Sequence, residues 1–93
     1  MNLGPVGESV TLKLKAALMP ARLEVIDESH QHAGHAGADA RGESHFRVRI
    51  VAEAFSGKSR VERHRMVNAI LAEELKNRIH ALAVEANAPG EAG

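Results

Sequence analysis

The chain has 93 residues, of which 44% are apolar and 26% charged, and it contains no cysteine. This length fits a single domain, and the absence of cysteine excludes disulfides, thiolate nucleophiles and a self-contained cysteine-ligated metal site. Twelve basic and twelve acidic residues cancel, so no overall field favours an acidic or a basic partner. The apolar runs are too short for a membrane span and the N-terminus lacks a secretion signal, so a small cytoplasmic domain is expected.

The first part of the sequence predicts one helix and one strand. Apolar residues three or four positions apart predict an amphipathic helix over residues 5–18, which Pro20 ends. β-branched residues predict a short strand over residues 23–29. Residues 30–42 are rich in glycine, alanine and histidine without a hydrophobic period, which indicates a long loop.

The second part predicts a strand, a helical segment and a last strand. Strict alternation of apolar and polar residues predicts a strand over residues 44–51, with a buried face and a cationic face in water. Residues 59–75 are predicted to form one helix or two short helices end to end, with Ser59 as N-cap in a capping-box spacing. Residues 79–86 are predicted to form the last strand, and residues 87–93 a frayed tail.

This order of elements predicts an α+β fold. The expected architecture is a single domain of order α-β-β-α-α-β, in which a three-stranded mixed sheet carries helices on one face. The domain is expected to span residues 5–87, with flexible tails at residues 1–4 and 88–93.

A short motif at residues 56–59 resembles the end of a phosphate-binding P-loop. A P-loop also needs a glycine five positions before Gly57, because its backbone amides wrap the phosphates. That position is Ala52, and a predicted strand precedes it. The motif is therefore interpreted as a turn followed by a helix N-cap.

A basic stretch runs from residue 45 to residue 65 and holds six basic residues against two acidic ones. Clustered positive charge on a neutral protein is typical of a surface for a polyanion or an acidic partner. The alternative is a solvated helix face whose arginine stems pack on the core. The six basic residues are Arg47, Arg49, Lys58, Arg60, Arg63 and Arg65.

Histidine is unusually frequent, with six residues in the chain, and three of them lie in the predicted loop as His30, His32 and His35. Imidazole binds iron, zinc, copper and nickel. Without a nearby cysteine, a stand-alone structural site is not expected, and a loop histidine that completes a site shared with another molecule fits better. From spacing alone, His64 is interpreted as a core or hinge residue, and His45 as a bridge from strand to loop.

An enzymatic function is not expected. No serine lies in a nucleophile-elbow context, and no pair of carboxylates stands out.

Residues 55–68 resemble the signature of the BolA family. Residues 28–30, 44–48 and 80–82 match the same family in its order and spacing, so the similarity spans residues 12–89. The resemblance implies a fold similar to class II KH domains, which agrees with the order of elements derived above.

The resemblance also implies partnership with monothiol glutaredoxins of the CGFS type. Members of the family share a [2Fe-2S] cluster with the glutaredoxin cysteine and glutathione. In the family, a histidine at the start of the last strand is a ligand of the cluster, and it corresponds to His80. A second cluster ligand comes from the loop between the first two strands and corresponds to His32, with His35 as a close alternative. The basic helix start would then help to dock the partner or glutathione.

The family's second role, as a DNA-binding transcriptional regulator in bacteria, implies an alternative. The basic helix over residues 59–75 and the arginine-lined strand would contact phosphates of duplex DNA. RNA- and DNA-binding KH domains use a Gly-x-x-Gly loop, however, and the turn here has Arg60 in place of the second glycine. The chain is also expected to form a weak homodimer, and it is not expected to associate with a membrane.

Overall fold

The computed structural model describes residues 4–28 and 44–91, in which three strands form a mixed sheet. The helices are α1 (Pro5–Leu18), α2 (Arg60–Ile70) and α3 (Ala72–Asn77), and the strands are β1 (Arg22–Asp27), β2 (His45–Val51) and β3 (Ala81–Asn87). The strand order is β1-β2-β3, with β1 antiparallel and β3 parallel to β2. The predicted α+β architecture is thereby confirmed. No helix among these elements is long and apolar enough to cross a membrane.

The core lies between the helices and one face of the sheet. The alternation predicted for β2 is present, because its three core-facing side chains are at most 2% exposed. The helix α1 contributes one apolar stripe, and the two later helices contribute another. The fully buried residues of these stripes and of β2 are Val10, Leu14, Phe46, Val48, Ile50, Val67 and Leu71.

The segment from residue 56 to residue 77 contains the predicted turn and the predicted capping box. Lys58 N–H donates to the Phe55 carbonyl (3.1 Å), and Gly57 adopts φ 75°, so a turn stands where the phosphate-loop motif was considered. Ser59 Oγ accepts from the Glu62 N–H (3.1 Å), and the Glu62 carboxylate accepts from the Ser59 N–H (2.8 Å). The structure has two helices end to end, the second of the two alternatives.

The outer strands differ from their predicted bounds by one or two residues. The strand β1 ends at Asp27, and residues 29–43, which include the predicted loop, lie outside the described residues. The strand β3 begins later than predicted because the Arg78 and Ile79 N–H groups both donate to the Glu74 carbonyl (2.8 Å each) and end α3. Ile79 itself is buried in the core.

The residues that follow β3 pack against the rest of the domain. Ala88 is only 4% exposed, and its N–H donates to the Glu91 carboxylate (2.9 Å). Arg63 donates to both oxygens of that carboxylate (2.6 and 2.9 Å) and to the Ala86 carbonyl (3.0 Å). These bonds hold residues 86–91 against the first turns of α2, a long-range contact that no local pattern indicates.

The contact between Arg63 and Glu91 predicts that the stability of the fold decreases in acid. Hydrogen bonds from Arg63, and next from the Ala88 N–H, lower the pKa of Glu91 from 4.5 to about 2. A carboxyl whose folded pKa is depressed stabilises the fold fully above its unfolded pKa, and the contribution is lost as pH falls through the folded value. Glu91→Gln lacks this contribution, so its urea midpoint should lie below that of the wild type at pH 7 and converge with it near pH 2.

The control for that comparison is Glu73→Gln, because the Glu73 carboxylate is 78% exposed and its ion-pair contact within the described residues is a long one, 3.8 Å from Lys13. Its urea midpoint should follow the wild-type pH dependence throughout. A constant difference between Glu91→Gln and wild type from pH 7 down to pH 2 would contradict the prediction.

Candidate functional site

Two histidines lie side by side at one edge of the sheet. Because β2 and β3 are parallel, they begin at the same edge, where His45 is the first residue of β2 and His80 directly precedes β3. The His80 N–H donates to the Ser44 carbonyl (2.7 Å), which holds the two strand starts together. The imidazole centroids lie 6.2 Å apart, with 27° between the ring planes. We call these two residues the histidine pair.

The two rings differ in their accessibility. His80 is exposed, and its side chain makes no hydrogen bond or ion pair within the described residues. His45 is half-buried, and Ser44 beside it is fully buried. The exposed ring of His80 is therefore open to contact by another molecule.

The hydrogen bond of His45 decides which ring nitrogen it offers. Its Nδ1 lies 2.9 Å from the Ser44 hydroxyl oxygen. When Nδ1 carries the proton and donates to that oxygen, Nε2 has a free lone pair. The ring can then coordinate a metal ion through Nε2. In the other tautomer the serine hydroxyl donates to Nδ1, and the ring offers an N–H donor instead.

The histidine pair was only half expected from the sequence. His80 was a predicted ligand, whereas His45 was interpreted as a bridge between strand and loop. The predicted loop histidines, His30, His32 and His35, lie outside the described residues. A parallel arrangement of the second and third strands would have placed His45 beside His80, and nothing in the alternating pattern alone indicates that arrangement.

The described part of the chain does not hold a three-ligand metal site by itself. Among residues 4–28 and 44–91, no group of three or more His, Cys, Asp or Glu side chains is placed to hold a metal ion. The histidine pair thus supplies two imidazoles, fewer than the four ligands of a closed site. Its donor set fits a metal centre whose other ligands come from elsewhere.

The arginines of β2 are neutralised by acids on the neighbouring segments. Arg47 pairs with Glu28 and with Glu85 (3.0 Å each), and Arg49 pairs with Glu24 and Glu85 (3.3 Å each). Hydrogen bonds to Glu28, then to Glu85, raise the pKa of Arg47. The solvent face of the sheet is therefore a ladder of alternating charge, not the open cationic face that the sequence pattern predicts.

The basic residues around the start of α2 divide into two groups. Arg63 donates hydrogen bonds to the Glu91 carboxylate and to the carbonyls of Lys58 and Ala86. Lys58, Arg60 and Arg65 are exposed, and their side chains make no ion pair within the described residues. Of the six predicted binding cations, these three remain available to a polyanion or an acidic partner.

Comparison with known proteins identifies the family and the fold. The family model described as BolA-like protein matches residues 14–91. The chain belongs to the BolA-like family. Its fold matches that of the BolA domain of SufE1 from Arabidopsis thaliana, with a TM-score of 0.89, 47% identity and coverage of 98% of this chain and 100% of that one.

Curated relatives of this BolA-like chain differ in length. An uncharacterised protein from the cobS 5′ region of Sinorhizobium sp. is 60% identical over 85 residues, which cover 90% of this chain and 91% of that protein. SufE-like protein 1 of Arabidopsis thaliana is 48% identical, and the match covers 96% of this chain but only 25% of that protein. Human BolA-like protein 1 is 45% identical, with 96% of this chain and 62% of that protein covered.

Proposed function

We propose that this BolA-like chain acts with a monothiol glutaredoxin of the CGFS type in the binding and trafficking of [2Fe-2S] clusters, and thereby in iron homeostasis. One observation carries the proposal. An exposed imidazole, that of His80, lies beside a second imidazole at one edge of the sheet, in a chain that contains no cysteine. Such a chain is suited to complete a metal centre that a thiolate-bearing partner already holds.

The chemistry of imidazole ligands supports this role. In iron–sulfur proteins two histidines can replace two cysteines on one iron, and this substitution raises the reduction potential. Ligation by imidazole also depends on pH, because the ring must be neutral at the coordinating nitrogen. A cluster held through such ligands is suited to sensing or hand-over, and glutathione and the glutaredoxin cysteine would supply its sulfur ligands.

The second ligand beside His80 is a choice among three histidines. The family resemblance implies His32, with His35 as the alternative. The structure adds His45, which is the histidine next to His80 within the described residues. We propose His80 with one of these as the ligand set, and the order of preference from the family pattern is His32 before His35.

Anaerobic reconstitution tests the proposed function. The purified chain is added to a CGFS glutaredoxin that carries a glutathione-ligated [2Fe-2S] cluster, and absorption and circular dichroism are recorded in the visible range. A new spectrum that saturates at one chain per glutaredoxin, together with co-elution of the two proteins, is expected. A spectrum that stays that of the glutaredoxin alone with this chain in excess would contradict the proposal.

Binding of duplex DNA is the second candidate function, and the available side chains of Lys58, Arg60 and Arg65 favour it. Phosphate contacts by these residues would make the affinity fall with salt concentration. Salt-dependent, sequence-selective binding that persists in a His80→Ala variant would support a regulator. Binding without sequence preference would reduce the surface to a general polyanion site.

A further inference from the structure

The outer face of α1 and the residue that caps its C-terminus carry apolar side chains that nothing in the described structure covers. Leu12 is 68% and Met19 is 84% exposed, and they are two of the three large hydrophobic residues found exposed in the described ranges. At 100° per residue, Leu12 points away from the buried stripe of Val6, Val10 and Leu14, and Met19 is the left-handed C-cap residue that directly follows α1. Leu12 and Met19 therefore define a narrow apolar line that runs from the outer face of α1 to the residue that caps its C-terminus.

Two unpaired charges of opposite sign flank this line. Glu8 lies four residues before Leu12, and Lys15 lies three residues after it, on the same side of the line. Seven residues place them about 10 Å apart along the helix axis, too far to pair with each other. Neither makes an ion pair within residues 4–28 and 44–91, whereas Lys13, on the inner side, is bound to Glu74 (2.8 Å).

This pattern is self-complementary in one orientation. When two copies of α1 lie antiparallel about a two-fold axis close to Leu12, Glu8 of each copy faces Lys15 of the other. The two Leu12 side chains then meet near the axis, and Met19 lies over the first turn of the second copy. A parallel pair would instead bring like charges together, which is unfavourable.

We propose that this chain self-associates as an antiparallel dimer through the outer face of α1. The contact is one helix wide, so it is smaller than a standard stable interface and gives a weak, concentration-dependent dimer. The face contains neither residue of the histidine pair. The inference therefore goes beyond the proposed function and does not depend on it.

Sedimentation equilibrium over a series of micromolar to millimolar chain concentrations tests the dimer. The average mass should rise from one chain toward two, and Leu12→Lys should remove the rise. Glu8→Lys and Lys15→Glu should each weaken association by about tenfold, because each reverses both symmetry-related ion pairs. The exposed Val61, which lies on α2, provides the control, and Val61→Lys should associate like wild type.

The double variant Glu8→Lys with Lys15→Glu is the decisive case. It restores opposite charges across the two-fold axis, so its dissociation constant should return to within about threefold of the wild-type value. Both substitutions are unfavourable for the helix dipole, so the recovery cannot arise from a more stable helix. A wild-type chain that remains monomeric throughout would overturn the proposal. Additive losses in the double variant would also overturn it.

Discussion

Replacement of His80 by alanine is expected to abolish the spectral change that this chain causes in a glutaredoxin-bound [2Fe-2S] cluster. The His80 ring is exposed at the edge of the sheet, and alanine removes its nitrogen donors while the preceding Ile79 keeps its buried position. Loss of a single supporting group at a metal site typically costs 10- to 100-fold in affinity, and loss of a ligand should cost at least about that much. Titration followed by visible circular dichroism measures the effect.

His64→Ala is the matched control for His80→Ala. His64 is half-buried on α2 and was interpreted as a core or hinge residue, so its variant should give the wild-type spectrum if the fold is kept. If cluster-free glutaredoxin co-elutes with the His80→Ala variant, the variant still binds the partner protein. The loss of the spectral change is then due to the missing cluster ligand. An unchanged cluster spectrum in His80→Ala would reject the ligand assignment.

The same titration ranks the candidates for the second ligand. Substitution of alanine at His32, His35 and His45 in turn should give one variant that resembles His80→Ala and two that resemble the wild type. If the His45 variant is the defective one, a ligand set contained within one edge of the sheet would replace the loop assignment.

Replacement of Phe55 by alanine should be among the most destabilising single changes in the core. Phe55 is fully buried in the short turn of residues Glu53–Phe55 that follows β2. Large-to-small substitutions of buried phenylalanine typically cost about 3–5 kcal/mol, since they leave a cavity as well as losing transfer free energy. A domain of this length has a stability of about 5–14 kcal/mol, so the loss is a large fraction of the total.

Urea unfolding followed by far-ultraviolet circular dichroism measures this loss of stability. The midpoint of Phe55→Ala should fall sharply with an unchanged slope, and Phe55→Leu should lose less because it leaves a smaller cavity. Val61→Ala, which truncates a side chain that is 57% exposed, should stay within about 0.5 kcal/mol of the wild type. A loss below about 1 kcal/mol for Phe55→Ala would show that the turn repacks around the cavity.

Periodicity in the sequence was sufficient to predict the helices and strands that have one buried face. The apolar spacing of α1 and the alternation of β2 predicted both elements to within one residue, and the Ser59 capping box was correct in detail. Pattern analysis did not identify Phe55 as core, because a single apolar residue in a turn has no period. It also left the break between α2 and α3 open, because the apolar stripe continues through Leu71.

Contacts between distant segments were beyond the sequence patterns. The alternation in β2 indicated which face Arg47 and Arg49 occupy, but the register with β1 and β3 determines that acids stand opposite them. In the same way, Arg63 meets Glu91 across 28 residues of sequence. The family pattern indicated His80, and the parallel pairing of β2 and β3 determined that His45 is its neighbour.

The direction of β3 also determines where a label can be attached to the chain without covering the histidine pair. The strand starts next to His80 and ends at Asn87, so its two ends are about 20 Å apart at roughly 3.3 Å per residue. The ion pair of Arg63 with Glu91 keeps the following residues at the far end. A fluorophore or purification tag fused after Glu91 therefore emerges well away from the imidazoles, where it can report on complex formation without shielding them.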